Sequence, residues 1–237
     1  MNKNPLPIKN EFGQPISQIL DQWQSSKIPP KTRMNGVYSI LDPLNPDTHA
    51  SQLFDLFNTD NSGWTYLPYG PFNTYNDFYT WLVTMTTTND PLFYAILNKK
   101  DGVPIGIASY LRVAPENGNI EVGHLHFSNT LKKTPVATEA MYLMMYRAFE
   151  ELGYRRYEWK CDSLNQPSRS AAERLGFKFE GIFRQDRIYK NRNRDTAWFS
   201  IIDSEWPELK SRFQEWLNPA NFDVNGKQIL SLREIRP

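Results

Sequence analysis

A basic loop that leads into a helix contains residue types that can bind an anion. The run Leu131–Ala140, LKKTPVATEA, follows a strand-like segment, NIEVGHLHFS, and precedes a helix-like one, TEAMYLMMYRAFEELG. Thr134 is a suitable helix N-cap, and Pro135 suits the first helical position, where a missing N–H costs little. We expect the next three amides to point outward without a partner, namely those of Val136, Ala137 and Thr138.

Amides in this position lie at the positive end of the helix dipole and can receive a negatively charged group. Lys132 and Lys133 add formal positive charge beside them. The loop therefore predicts an anion cradle that begins with proline, where such loops usually have glycine. A capped helix with two solvated lysines would explain the residues KKTP equally well, so the loop alone does not decide.

Length and composition exclude several classes of protein. The chain has 237 residues, a net charge of about +1 and one cysteine, Cys161, which excludes an internal disulfide and a cysteine-rich zinc site. Its three histidines do not form a persuasive metal set, so no metal is expected. A nearly neutral chain has no overall field that would attract nucleic acid or a membrane. Without an apolar signal segment or a run of about 18 apolar residues, the sequence predicts a cytoplasmic protein.

Hydrophobic periodicity and turn residues indicate the elements that would hold the loop. Residues 1–35 predict an arm that packs on a domain of residues 36–206, and residues 207–237 predict a C-terminal helix and a polar tail. Within the domain the pattern predicts a strand, two helices, a three-stranded meander, a helix, a strand, a helix and two strands. This order predicts an α/β (mixed α+β) fold with a twisted mixed β-sheet flanked by helices, largely antiparallel in its first half.

Several short motifs in this order resemble the GNAT superfamily of acyl-CoA-dependent N-acetyltransferases. The sequence ATEA follows the loop, Asn165 and Ser168 precede a short helix that ends in ERLGFKFEG, and a late strand reads RDTAWFSIIDSEW. These motifs are similar to the branch of ribosomal-protein N-terminal acetyltransferases, over about residues 36–206. The resemblance implies the GNAT fold and the use of acetyl-CoA.

The loop departs from the family's signature, Arg/Gln-x-x-Gly-x-Gly/Ala. Lys132 takes the basic first position, Pro135 takes the central glycine and Ala137 takes the last position. Proline offers no N–H to a phosphate, so the amides that follow it would have to bind the diphosphate of the cofactor. Together with the downstream motifs, the resemblance favours the cradle over an ordinary helix start.

The resemblance also implies where the cofactor lies. Acetyl-CoA would enter where two neighbouring strands part, near residues 159–162, and its pantetheine arm would pair with strand amides near Phe127 and Ser128. Asn165 would bind the cofactor as well. The residues expected to contact acetyl-CoA are Phe127, Ser128, Lys132, Lys133, Thr134, Val136, Ala137, Thr138, Asn165 and Ser168.

An amine that attacks the thioester directly has to lose a proton, so a base is useful. Glu121 is expected to act as the base or to anchor the amine, and His124 or His126 is the alternative. Strict alternation along the strand places Glu121 and Phe127 on one face and the two histidines on the other, unless a bulge shifts the phase. Each of these polar residues could instead be buried and hydrogen-bonded within the sheet.

The departing thiolate needs a proton, and many members of the superfamily supply it from a tyrosine. Ala172 stands at that position here. Ser168 is the substitute that this branch suggests, although a serine at a helix start is often only a cap. Cys161 lies in the apolar phase of its strand and is expected to be buried and inert.

Two other functions stay open. The missing tyrosine and the lost glycine would suit a non-catalytic acyl-CoA-binding module. The hairpin FRQDRIYKNRNRD could contact RNA through Arg184, Arg187, Arg192 and Arg194. The leading prediction is an acetyl-CoA-dependent N-acetyltransferase that acts on a primary amine, either a small molecule or a protein N-terminus, as a monomer or homodimer.

Overall fold

The computed structural model describes residues 7–224 and 226–235. The first six residues of the predicted arm and residues 225, 236 and 237 of the predicted tail lie outside the described residues. In this part of the chain the strands are β1 (Ile8–Lys9), β2 (Pro15–Ile16), β3 (Met34–Asn35), β4 (Ser39–Pro43), β5 (Leu92–Asn98), β6 (Pro104–Ala114), β7 (Asn119–Phe127), β8 (Arg156–Asp162), β9 (Lys178–Tyr189) and β10 (Arg192–Ile202).

Side chains cap the first four helices at their N-termini, whereas the fifth has no side-chain cap among the described residues. The helices are α1 (Pro46–Phe57), α2 (Tyr75–Thr86), α3 (Pro135–Tyr146), α4 (Gln166–Arg174) and α5 (Trp206–Trp216). A π-helical segment, Arg147–Glu151, continues α3, and short 3-10 turns lie at Asn61–Trp64 and Pro219–Asn221. Asn45 caps α1 through its side chain, which accepts from the amide of Asp47.

The eight strands from β3 to β10 form one mixed sheet in the order β3-β4-β5-β6-β7-β8-β10-β9. Each neighbouring pair is antiparallel except β7 and β8, which are parallel and are connected through α3. The predicted mixed sheet with an antiparallel first half is therefore confirmed. The parallel pair is short, because its register runs only from Asn119 and Arg156 to Val122 and Trp159.

Two apolar cores cover the two faces of the sheet. The larger core contains the inner face of α3 and of the π-helical segment after it, with the buried residues Ala140, Met141, Met144, Met145, Ala148 and Phe149. The smaller core contains α1 and α2 together with Trp64, Phe93 and Ile107. The sheet is thus sandwiched between helices, and the edge strand β9 is the most exposed of its long strands, with several exposed apolar side chains.

Both chain extensions contact the domain. Trp23 of the arm donates its indole N–H to the carbonyl of Glu116, and Ser26 donates to the carbonyl of Gly153. The interpretation of the last twenty residues as a polar tail is incomplete, because Leu232 and Ile235 are buried in the larger core. The domain boundaries at residues 36 and 206 stay a prediction.

A buried carboxylate fixes the start of α3 against β4. Glu139 is 3% exposed and accepts backbone N–H bonds from Val37, Tyr38 and Ser39 at 2.6, 2.7 and 2.6 Å. A Cβ atom at Gly36 would lie 2.2 Å from a Glu139 oxygen, so the chain passes too closely for any side chain there. Since Glu139 lies one turn beyond the basic loop, this contact also sets the position of that loop.

We predict that Glu139→Gln lowers the free energy of unfolding by roughly 2–4 kcal/mol. The amide keeps one acceptor oxygen but removes the charge and turns an NH₂ group toward backbone donors, and hydrogen bonds to a charged group contribute more than neutral ones. Urea unfolding measures the loss, with Glu173→Gln on the exposed side of α4 as the matched control. A loss below about 1 kcal/mol would show that Glu139 does not hold β4 to α3.

Candidate active site

A cavity of about 170 Å³ lies where the parallel strands part. The β7–β8 register ends at Val122 and Trp159, while β7 continues to Phe127 and β8 continues to Asp162. The cavity is lined by these strand ends, the connection between α1 and α2, the start of α4 and the β9–β10 hairpin. The expected gap near residues 159–162 is therefore present, with polar backbone groups on both sides.

A bulge in β7 brings the polar residues of this strand to one face. Gly123 lies opposite Ser109 and His126 lies opposite Ile107, so three steps along β7 match two steps along β6. The bulged residue His124 has a left-handed φ of 52°. Strict alternation is thus wrong here, and His126 shares a face with Glu121, as the sequence allowed only in the case of a bulge.

Glu121 lines the cavity as a buried, ion-paired carboxylate. Its Oε2 atom accepts from Arg112 and lies 2.9 Å from Lys160 Nζ, and the residue is 3% exposed. Its Oε1 atom lies 3.6 Å from where a Cβ of Gly123 would stand, and no described residue donates a hydrogen bond to it. One oxygen therefore holds the two cations, and the other is free to meet an amine or a water molecule.

The two histidines of β7 are neutral and packed. Tyr69 hydrogen-bonds His124 Nδ1 at 2.7 Å, and the ring of His126 stacks on Phe57 with centroids 3.9 Å apart. Burial, with the charges of nearby arginines, lowers the pKa of His124 to about 4. Burial also lowers the pKa of His126 to about 3. Bases this weak are poorly matched to an ammonium ion, so the geometry favours packing roles for both.

The cradle has fewer free amides at its helix start than the sequence predicted. Thr134 caps α3 and accepts from the amide of Ala137 at 3.3 Å, and its carbonyl accepts from the amide of Thr138 at 3.4 Å. The prediction that these two amides are unpaired is therefore wrong. Thr138 is the first residue with an ordinary helical bond, because only the first three helical positions and the cap lack one. Val136 keeps the free amide.

The loop before the helix supplies two further donors. Lys133 has a left-handed φ of 62°, a conformation that turns successive amides toward a common point. In the part of the chain that the structure describes, the amides of Lys133, Thr134 and Val136 have no acceptor. Lys132 extends to Asn129 and toward Asp60 instead, with Nζ 2.8 Å from the Asn129 side-chain oxygen.

Of the two backbone amides at the end of β7 that were expected to pair with the pantetheine arm, one is available. The amide of Ser128 donates to Ile105 of β6 at 3.2 Å, so it is not available to a cofactor. Backbone groups alternate along a strand, so the amide of Phe127 faces the opposite side, toward the gap. The expectation for Phe127 thus fits the geometry, and the one for the Ser128 amide is wrong.

The start of α4 places a hydroxyl at the inner end of the gap. Asn165 caps the helix by accepting from the amide of Ser168, and both residues line the cavity. Trp159 donates its indole N–H to Ser168 Oγ at 3.0 Å, so the serine proton is directed to another acceptor, and the neighbouring Cys161 sulfur is one such partner. Burial raises the pKa of the neighbouring Cys161 thiol, which fits the expected inert role.

Three arginines of the cavity were not placed there by sequence reasoning. Arg112 comes from β6, and Arg187 and Arg194 come from the hairpin that was interpreted as a basic surface. Only pairing of the hairpin strands brings the last two together, so no local pattern could reveal them. Within residues 7–224 and 226–235 we find no helix long and apolar enough to span a membrane and no group of metal-ligating side chains.

A gap of this kind, beside amides that can hold a diphosphate, suits a transferase that binds an acyl-CoA thioester in an extended form. The chain belongs to the GNAT acetyltransferase family, because residues 39–178, more than half of its length, match that domain. It is an N-acetyltransferase, and acetyl-CoA is its acyl donor. The predicted family, fold, enzyme class and cofactor are thereby confirmed.

Similar proteins agree with this assignment. A GCN5-related N-acetyltransferase from Brucella melitensis is 44% identical, covers 91% of this chain and 98% of its own, and superposes with a TM-score of 0.89. A GNAT-family protein from Chromobacterium violaceum is 42% identical over 82% of this chain and 98% of its own, with a TM-score of 0.77.

A Bacillus subtilis protein provisionally named ribosomal N-acetyltransferase YdaF is 27% identical over 106 residues, which is 45% of this chain. The match spans 57% of the length of that relative. The similarity supports the predicted branch, and it says nothing by itself about the acceptor.

We predict that the buried histidines make the protein sensitive to acid. Below pH 6.5 the unfolded chain binds protons that His126 does not bind in the folded state until about pH 3. The free energy of unfolding therefore falls as the pH is lowered across this window.

The variant His126→Phe keeps the ring packing and removes this proton uptake. Its free energy of unfolding should fall less steeply between pH 6.5 and 4, by up to about 1.4 kcal/mol per pH unit. Denaturant unfolding at several pH values measures both slopes. Equal slopes for the variant and the parent protein would contradict a neutral, buried His126.

Proposed function

We propose that the protein transfers the acetyl group of acetyl-CoA to a primary amine by direct attack. The observation that carries this proposal is the cavity between the parted strands, which has Glu121 on one side and Ser168 on the other. The amine nitrogen forms a bond with the thioester carbonyl carbon, the carbon–sulfur bond breaks, and coenzyme A leaves as a thiolate. The amine loses one proton and the thiolate gains one, so no covalent enzyme intermediate is needed.

The chain's own residues bind and orient the two reactants. The amides of Lys133, Thr134 and Val136 hold the diphosphate, and the amide of Phe127 pairs with the pantetheine arm. Most of the acceleration then comes from holding the amine next to the thioester. A backbone N–H near the β7 bulge is positioned to polarise the acetyl carbonyl, since a bulge leaves one residue unpaired.

Proton transfer is assigned to the two side chains that the sequence singled out. Glu121 anchors the amine or takes its proton through Oε1, directly or through a water molecule, while Oε2 stays on Arg112 and Lys160. Ser168 donates its proton to the departing sulfur, because its oxygen already accepts from Trp159. Water can also protonate a thiolate, so Ser168 accelerates the step without being indispensable.

The acceptor is a small molecule or a protein N-terminus, and the enzyme acts in the cytoplasm as a monomer or homodimer. RNA is not supported as a partner. Two arginines of the basic hairpin line the cavity, and Arg192 donates to the carbonyl of Thr65 at 2.6 Å. Thiol release from acetyl-CoA with a panel of amines tests the activity. Tight binding of acetyl-CoA with no release for any amine would favour a non-catalytic module.

The cradle predicts a loss of cofactor binding when one amide is removed. Val136→Pro should weaken acetyl-CoA binding about tenfold or more, since a hydrogen bond to a charged group is lost. Val136→Ala keeps the amide and is the matched control. Because a proline also restrains the residue before it, the melting temperature of both variants is measured. Unchanged affinity in a folded Val136→Pro protein would contradict the cradle.

The proposed role of Glu121 predicts a pH-dependent loss of rate. Glu121→Gln should lower kcat/KM most at neutral and lower pH, where the amine is protonated, and least at high pH, where the free amine is abundant. Acetyl-CoA affinity should stay nearly constant. Glu158→Gln is the control, because Glu158 pairs with the same Lys160 without lining the cavity.

Rates are measured with the amine that the parent protein acetylates fastest. Equal rates for Glu121→Gln and the parent protein at every pH would exclude Glu121 as base or anchor. An equal loss in Glu158→Gln would show that only the ion-pair network matters.

A further inference from the structure

The β9–β10 hairpin forms a wall of the cavity and is held against the opposite side. Lys190 at its tip donates to the carbonyl of Trp64 at 2.7 Å, and Arg192 donates to the carbonyl of Thr65 at 2.6 Å. Tyr66, next in this loop, donates to the carbonyl of Leu164 near the end of β8. Side chains on the inner surface of the hairpin therefore face whatever occupies the cavity.

Two arginines stand side by side on this wall. Arg187 and Arg194 are cross-strand partners in the β9–β10 register, and both line the cavity. Like charges directly opposite each other on neighbouring strands repel. Among the described residues, Arg194 has no carboxylate oxygen within 4.0 Å, and the contact of Arg187 is with its chain neighbour Asp186 at 3.4 Å.

The other charges of the cavity compensate this pair only in part, through Asp186 beside Arg187 and through the charge of Asp162 near Arg194. Arg112 pairs with Glu121, and Lys160 pairs with both Glu121 and Glu158. The remaining lining carboxylate, Asp162, already accepts from the hydroxyl of Tyr189 at 2.8 Å and from a backbone amide. Four cations and two carboxylates thus line a cavity in a chain whose net charge is only about +1.

The positive charges of these arginines also affect the pKa values of groups in the cavity. The charges of Arg112, Arg187 and Arg194 all contribute to the lowered pKa of His124. Burial lowers the pKa of Arg194, and the charge of Arg187 adds to this effect. A bound anion between the two guanidinium groups would relieve this repulsion, and the planar fork of arginine suits a carboxylate or a phosphate.

Acetyl-CoA does not supply that anion. Its charged phosphates are assigned to the cradle, and no residue of the segment 128–138 lines the cavity. The part of the cofactor that enters the gap is the uncharged pantetheine arm with its thioester. An anion bound by Arg187 and Arg194 would therefore belong to the other reactant.

We propose that the acceptor is a small primary amine whose molecule also carries a carboxylate or a phosphate, and that Arg187 and Arg194 bind this anionic group. The proposal rests on the acetyl-transfer function proposed above. Residues 63–68, the hairpin and the start of α4 all line the cavity, and such an enclosed site favours a small acceptor over a long chain. The two arginines are specificity residues, and Glu121 at the far side receives the amine.

Matched pairs of amines test the proposal with the full chain and acetyl-CoA. Phosphoethanolamine is compared with ethanolamine, and β-alanine with β-alanine amide, which separates phosphate from carboxylate recognition. A short peptide with an acidic second residue is compared with its amide counterpart. Thiol release gives kcat and KM for each, and mass spectrometry identifies the acetylated product.

At least one anionic small amine should be preferred over its neutral partner by about tenfold or more in kcat/KM, and the preference should weaken as ionic strength rises. Arg187→Gln and Arg194→Gln should each raise the KM for that amine about tenfold and leave the KM for acetyl-CoA within about twofold. Arg184→Gln is the control, because Arg184 lies on the same strand but does not line the cavity. If Arg194→Gln does not fold, the exposed Arg187 still tests the site.

Equal rates for charged and neutral amines would overturn the proposal and leave the acetyl-transfer function intact. Preference for the acidic peptide with no turnover of the small anionic amines would overturn the assignment of a small acceptor. A loss in the arginine variants that appears in the KM for acetyl-CoA would reassign the pair to the cofactor. Absence of turnover with every amine would instead contradict the proposed function itself.

Discussion

The parting of two parallel strands is the constraint on which the rest of the structure depends. Strands β7 and β8 pair over only four residues each and then separate, which exposes backbone groups in the middle of a sheet. Buried backbone donors and acceptors need partners, so such a gap is stable only where another molecule or water can complete it. In the proposed complex an extended thioester arm would supply those partners, and its reactive carbon would lie beside Glu121.

The elements around the gap hold it open and orient it. Glu139 ties α3 to the start of β4, and Thr134 caps the same helix. The basic loop that connects β7 to α3 is therefore held in place at its helical end. Lys160 bridges Glu121 and Glu158, which are direct neighbours in the parallel register, and so keeps two like charges together at the point where the strands part. The repulsion between Glu121 and Glu158 and its compensation by Lys160 therefore set the electrostatic environment where the strands part.

Much of this architecture follows from the sequence, because periodicity and turn residues are local signals. The order of strands and helices within residues 36–206 and the position of the gap were predicted, whereas the short strands β1, β2 and β3 were not. The bulge at His124 was left open, because pairing with β6 rather than local propensity decides it. Counting the free amides failed for Ala137 and Thr138, since one cap residue satisfies both.

The positions of Arg187 and Arg194 in the cavity could not be predicted from the sequence. Arg187 and Arg194 belong to a segment whose interleaved basic and aromatic residues look like a surface for RNA. Whether a side chain of a hairpin faces solvent or a cavity depends on the register and on where the tip is held. The tip is held by Lys190 and Arg192 on carbonyls of a loop more than a hundred residues earlier in the chain. No local pattern carries that information.

A crystal structure of the protein with bound acetyl-CoA is the most direct test of the central claim. The account predicts diphosphate oxygens at about 2.7–3.2 Å from the amides of Lys133, Thr134 and Val136, with the pantetheine arm between β7 and β8. A diphosphate bound away from these amides, with the gap between the strands empty, would contradict it.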